Sequence, residues 1–122
     1  MKVKLRQLWI AGQAVHQLSK TNSTSARANY WIGKAITAID NENRVIEATR
    51  NELIKKYGKE NDDKSFTVVA ENMPAFSKEF EDLLAGEVDI NVTPIELEYL
   101  EGRDLAVEHL TALDFIIKEP KE

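Results

Sequence analysis

Residues 24–58 read TSARANYWIGKAITAIDNENRVIEATRNELIKKYG, and their spacing decides the fold. Ile32, Ile36, Ile39, Asn43, Ile46, Arg50, Leu53 and Tyr57 recur at intervals of 4, 3, 4, 3, 4, 3 and 4. That alternation places all eight on one stripe of an α-helix, whose side chains return to the same face every 3.6 residues. Alternate members Ile32, Ile39, Ile46 and Leu53 are aliphatic, whereas Ile36, Asn43, Arg50 and Tyr57 include two polar residues. No proline interrupts residues 24–57. Thr24 or Ser25 is placed to cap the start, because a hydroxyl accepts hydrogen bonds from the free N–H groups there. Gly58 is placed to end the helix in a left-handed conformation. A rod of about 34 residues spans roughly 50 Å at 1.5 Å per residue, longer than a domain of this mass can bury along one face. Part of its seam should therefore pack on a first helix and part on something else, another chain included.

Working outward, Leu5, Leu8, Gly12, Val15 and Leu18 or Ser19 repeat the pattern and predict a first helix of about four turns. Lys20 to Ser25 breaks it, and Lys2-Val3-Lys4 is a candidate edge strand. Gly12 and Gly33 fall inside helices, where glycine is costly, so close approach of the helices is their expected use. Gly58 to Ser65 is polar, but it lacks the alternating carboxylates and bidentate glutamate of a calcium loop, and reads as a solvated turn. Residues 66–70 and 87–92 predict short strands, pairing around a third helix or with the N-terminal strand. Asn72 is placed to cap that third helix near Met73-Pro74, with Met73, Phe76, Phe80, Leu83 and Leu84 on its apolar face and Gly86 after it. Leu97, Leu100 and Leu105 anchor a connecting segment. Asp104 is placed to cap a short helix carrying Leu105, Leu110 and Leu113. Phe115-Ile116-Ile117 finishes the core and Pro120 closes the chain. The sum is one mainly α domain with a small β element (α+β) over 1–122. A helical hairpin occupies 1–57, and an α/β cap region with a two- or three-stranded sheet and C-terminal helices occupies 58–122.

Composition fits a globular fold: 122 residues, 43% hydrophobic, 30% charged and no cysteine. The lack of cysteine excludes disulfides, thiolate nucleophiles and cysteine-ligated zinc. The longest apolar run is four residues, Leu8 to Ala11, so neither a membrane span nor a signal-peptide core is present in the sequence. Charge is divided sharply. Residues 1–39 carry six basic and no acidic side chains, +6; residues 40–122 carry 21 acidic and ten basic ones, −11. Such a split suits contact with nucleic acid, association of oppositely charged protein surfaces, or packing of the basic segment against the acidic half of its own chain.

Catalytic patterns are missing. His16 and His109 have no metal-ligand spacing, the serines have no nucleophile-elbow context, and the five glycines are scattered singly. The acid pairs Glu79/Asp82 and Glu96/Glu98 matter only inside a cleft that perturbs them. The expectation is a protein that is not an enzyme and takes no cofactor or metal. Its candidate interface is Arg27, Tyr30, Trp31 and Lys34, with Asn43 and Arg50 as polar members of the seam able to fix register. Tyr30 and Trp31 point about 100° apart on a helix, so at least one of them faces outward.

The order of these features resembles a group of small helical proteins from tailed bacteriophages and prophages. The likeness rests on Lys2-Val3-Lys4-Leu5-Arg6-Gln7-Leu8 and on Arg50-Asn51-Glu52-Leu53-Ile54-Lys55-Lys56-Tyr57-Gly58. It continues through Glu71-Asn72-Met73 with Phe76, Glu79 and Leu83-Leu84, then Val92-Thr93-Pro94-Ile95-Glu96-Leu97 and Leu110-Thr111-Ala112-Leu113-Asp114-Phe115-Ile116. It spans most of the chain, but every element is a packing or turn motif and no active site carries over. Arg6 departs from the small hydroxyl residue the group would place before its first helix. The resemblance implies a phage accessory protein, in the virion or the host cytoplasm, working through protein contacts. A structural or assembly subunit that binds its own copies or another phage protein comes first. An inhibitor of a host defence protein or its nucleotide signal is the alternative, and a nucleic-acid module using the basic segment ranks behind both.

Overall fold

The chain opens with strand β1 (Lys2–Lys4), which runs directly into α1 (Leu5–Ser19). No hydroxyl is needed at that junction: the Gln7 side chain turns back and accepts the Lys4 N–H at 2.9 Å. Arg6 lies inside the first turn and bonds the Glu81 carboxylate. Helix α2 (Ala26–Tyr57) follows a polar turn, and Ser25 caps it by accepting the Ala28 N–H at 3.2 Å. The computed structural model describes residues 1–118, so the Pro120 terminus lies outside the described residues.

The core is an aliphatic seam between these helices. Leu8, Ala11, Val15 and Leu18 of α1 are buried with Ala28, Ile32, Ala35, Ile39 and Ile46 of α2. Ala35 takes the fully buried place that periodicity offered to Ile36, which is half-buried, and this small residue allows the backbones to come close. Beyond Ile46 the stripe does not wait for another chain. Arg50, Leu53 and Tyr57 are half-buried, and this end of α2 packs on α3 (Met73–Leu84) and on a hairpin of β2 (Gly58–Glu60) and β3 (Phe66–Val68). The 32-residue rod, about 48 Å long at 1.5 Å per residue, is thus served by two successive partners within its own chain.

The β element is three separate two-stranded pairs. β1 runs antiparallel to β4 (Glu87–Asp89) with Val3 opposite Val88, and the Ile90 N–H adds a bond to the Met1 carbonyl at 2.8 Å. β2 and β3 pair antiparallel, Lys59 opposite Thr67, so the segment expected to be only a solvated turn begins as a strand. β5 (Ile95–Glu96) lies parallel to β6 (Ile117–Lys118), a pairing that joins chain segments about twenty residues apart. Between them come a 3-10 turn at Leu97–Leu100 and α4 (Val107–Ala112), which packs on α1.

Several local expectations are corrected. Gly58 is extended (φ −97°, ψ 170°), not left-handed; a Cβ there would sit 2.3 Å from the Ile54 carbonyl oxygen, so glycine is required by close approach. Asn72 does not cap α3. Its side-chain amide donates to the Tyr57 carbonyl at 3.0 Å, and a 3-10 turn at Ala70–Asn72 leads into the helix. Asp104 caps nothing, since α4 starts after Ala106 and excludes Leu105 and Leu113. Met73 and Leu97, expected as apolar anchors, are exposed. Gly33 has no neighbour within 4 Å of a Cβ position, and a Cβ at Gly12 would rest at an ordinary contact distance of 3.5 Å from Asn43 Nδ2, so neither glycine is required by close approach.

Two substitutions check this backbone account. Gly33→Ala should raise unfolding stability by about 0.5–1 kcal/mol, because a helix-interior glycine is replaced with nothing to clash. Gly58→Ala should lower it by at least about 1 kcal/mol, because the Ile54 carbonyl must move. Urea denaturation followed by circular dichroism reads both, and a stabilised Gly58→Ala contradicts the close-approach assignment.

Candidate functional site

The outward face of α2 brings together three of the interface residues read from the sequence. Arg27, Tyr30 and Lys34 lie on successive turns and all are exposed. Tyr30 is 58% exposed, and its ring is fixed by two neighbours. Trp31 meets it edge-to-face at 5.2 Å, and Lys34 Nζ stands 5.9 Å from its centroid. Below it runs an open groove of about 560 Å³ along Gly33, Thr37 and Asn41, with Asn91 on the far side.

The other three residues are placed differently. Trp31 is half-buried and packs against the core, so of the two adjacent aromatics Tyr30 is the outward one. Asn43 belongs to the α1–α2 contact, where its Nδ2 donates to the Leu8 carbonyl at 2.8 Å while its Oδ1 is buried without a donor among the described residues. Arg50 lies 5.9 Å over the Phe80 ring and is occupied within the chain. Asn43 and Arg50 therefore fix how α1 and α3 seat on α2.

A second groove, of about 620 Å³, opens between α1 and α2. Trp9 and Ile10 supply its apolar wall, Asn43 its floor, and Asp40, Glu47 and His16 its polar edge; among the described residues no Lys or Arg lines it. Ile10 is 59% exposed, and Trp9 is held from behind by Phe80, edge-to-face at 5.6 Å. Gly12, having no side chain, leaves this space open.

Electrostatics divides the basic segment in two. Near the N-terminus the positive groups meet acids of the same chain: the Met1 ammonium bonds Asp89 at 2.9 Å, Lys2 lies 3.9 Å from Glu87, and Arg6 bonds Glu81. Intramolecular pairing thus accounts for these three groups but not for Lys4, which has no carboxylate within 4 Å among the described residues. Hydrogen bonding, first to Arg6, Lys56 and the N-terminal ammonium respectively, holds the Glu81, Glu79 and Asp89 carboxyls below the usual carboxylate range. Lys20, Arg27 and Lys34 have no carboxylate within 4 Å among the described residues. Arg27 is close enough to Glu98 to oppose the upward push that Glu96, by hydrogen bond and by charge, exerts on it.

Among the described residues, the acid pairs posed for proton transfer lie away from the two grooves beside α2. Glu79 accepts Lys56 Nζ at 3.0 Å, and Glu96 and Glu98 line neither groove beside α2. His16 is exposed, while His109 is half-buried with Nε2 3.9 Å from Glu108. Among the described residues, no group of three or more His, Cys, Asp or Glu side chains is placed to hold a metal ion. No helix among them is long and apolar enough to cross a membrane.

Sequence reading missed Arg103. Its Nε donates to the Tyr99 carbonyl at 2.8 Å, Nη1 to Thr21 Oγ1 at 3.1 Å and Nη2 to Asn29 Oδ1 at 2.7 Å. Asn29 in turn donates to the Ser23 carbonyl at 2.9 Å. One guanidinium therefore clasps the α1–α2 turn to the C-terminal segment, and partial burial lowers its pKa. Nothing local in the sequence marks it, because two of its partners lie more than seventy residues away.

Two measurements follow from this placement. Trp31→Ala should destabilise the fold by at least about 1 kcal/mol, and Tyr30→Ala by less, since only Trp31 loses core packing. For pH the sign is set by the lowered carboxyls. Their stabilisation is complete above their unfolded pKa values and is lost as pH falls through the lower folded ones, whereas Glu98 gains by protonating. Thermal stability should hold near neutrality and decline below about pH 4. Glu81→Gln should flatten that decline, and an unchanged profile contradicts the Arg6–Glu81 pairing. No family model, curated protein or solved structure matches the chain.

Proposed function

We propose that this chain is a bacteriophage accessory protein that works through protein–protein contacts, as a structural or assembly subunit of the virion. The observation that carries the reading is the outer face of α2: an exposed tyrosine, pinned by Trp31, between two cations that find no carboxylate within 4 Å among the described residues. An ordered aromatic with cationic flanks loses little entropy on docking, which is why Tyr and Arg dominate interface hot spots. The sequence resemblance to small phage proteins supplies the context. A basic stripe with one aromatic also suits a phosphate backbone, but Lys2 and Arg6 are already paired with acids of the chain, which leaves Lys4, Lys20, Arg27 and Lys34 as the footprint for nucleic acid.

Two readouts test the reading. Light scattering at low and high salt should show a complex that grows in mass as salt is lowered, because exposed charges are screened beyond about 10 Å at 0.1 M salt. Immunodetection should find the chain in purified particles or their assembly intermediates. A chain that is absent from both and is captured instead by one defined host protein supports the inhibitor alternative and ends the structural one.

A further inference from the structure

We propose that a second copy of the chain seats its Arg27–Tyr30–Lys34 stripe in the groove between α1 and α2, so that copies join head to tail. The inference rests on the subunit reading above and names its partner. Its basis is a matched pattern within one helix. Tyr30 has cations three residues before it and four residues after it, Arg27 and Lys34; Asn43, on the groove floor, has acids at the same two offsets, Asp40 and Glu47. Equal offsets on one helix give equal spacing along the axis, so both charges of a docked stripe can meet a carboxylate at once.

The surfaces between the charges also fit. The stripe presents a pre-ordered aromatic ring, 58% exposed. The groove presents Trp9 and Ile10 beside the space left by Gly12, and among the described residues no Lys or Arg lines it to repel Arg27 or Lys34. Tyr30 on the wall of Trp9 and Ile10 supplies the apolar contact, and the two charge pairs set its register. Asp40 and Glu47, like the stripe's cations, have no ion-pair partner within 4 Å in their own chain among the described residues.

Symmetry then follows from helix geometry. At 100° per residue the stripe and the acidic groove edge lie about 140° apart around α2, and their centres are 13 residues apart in sequence, roughly 20 Å along the axis. One patch cannot be both donor and receptor, so each copy uses a different surface from the one its neighbour offers. Contacts of that kind propagate into rings or open chains instead of stopping at a two-fold dimer.

Sedimentation velocity on the full chain reads this directly. Wild type at low salt should give a series of species that lengthens with concentration and collapses to monomer at about 0.5 M salt. A stripe variant, Arg27→Ala/Tyr30→Ala/Lys34→Ala, and a groove variant, Asp40→Ala/Glu47→Ala, should each associate at least about tenfold more weakly alone. Every substituted position is exposed, and unchanged helicity by circular dichroism certifies the fold; Arg27→Ala/Lys34→Ala replaces the triple variant if that one unfolds. An equimolar mixture of the two variants should form a 1:1 dimer and no larger species, since each brings one intact surface. A wild-type monomer, a closed wild-type dimer, association untouched by either variant, or a mixture that stays monomeric overturns head-to-tail docking. A wild-type monomer also counts against the salt-dependent complex expected of the subunit reading, whereas a closed dimer, variants without effect or a monomeric mixture overturns only this inference; detection in phage particles tests the subunit reading by itself.

Discussion

The aliphatic seam between α1 and α2 is the constraint to which the rest of the molecule conforms. Leu8, Val15 and Leu18 on one side and Ile32, Ile39 and Ile46 on the other are all but inaccessible to water, and each such side chain contributes on the order of 1.5–3 kcal/mol by burial. A long helix rich in charged residues gains little from propensity alone and depends on this face. The seam also sets the length problem. α1 is 15 residues and α2 is 32, so about half of the longer helix is left uncovered by the shorter. The segment after Gly58 solves it by folding back, laying the β2–β3 hairpin and α3 against the lower end of α2.

Polar side chains then lock what the seam brings together. Asn43 bonds the α1 backbone, Asn72 the end of α2, and Arg103 the turn between the two helices. Each bond is worth only about 1 kcal/mol net, yet leaving such a group buried without a partner costs more, so they penalise misalignment more than they reward the fold. These groups therefore act as gauges of position. With α2 fixed in this way, its outer face is left to bear the exposed Tyr30, while the inner face is consumed.

The helices were legible because their signal is local. A period of 3.6 residues needs only the residues inside it, and the bounds of α1, α2 and α3 follow from apolar spacing with Ser25 and Pro74 as start signals. Strand pairing was legible only in part: Val3 and Val88 mark strands, but nothing nearby tells Val3 that its partner is 85 residues on, and the two-residue β5 and β6 are too short for any period. Gly58 was placed correctly at the helix end for a different reason, since a steric contact with Ile54 and a left-handed turn both demand glycine. For the candidate site, Arg27, Tyr30 and Lys34 were readable as a stripe of one helix. The division of labour between Tyr30 and Trp31, and the commitment of Asn43 and Arg50 to packing inside the chain, depended on where α1 and α3 arrive. Arg103 and the groove beside Trp9 are products of tertiary structure alone.

The ladder between β1 and β4 has a consequence for synthesis. Lys2 pairs with Asp89, and Arg6 bonds Glu81, so these residues hold positions whose partners are made 87 and 75 residues later. Closing so long a loop is slow compared with forming the α1–α2 pair, whose contacts are near in sequence. A growing chain therefore builds its helical seam first, with β1 still unpaired. Charge follows the same course: residues 1–39 carry +6, and residues 1–122 together carry −5. Residues 1–39 are thus a cationic segment with a free strand until the acidic segments that secure that strand are added.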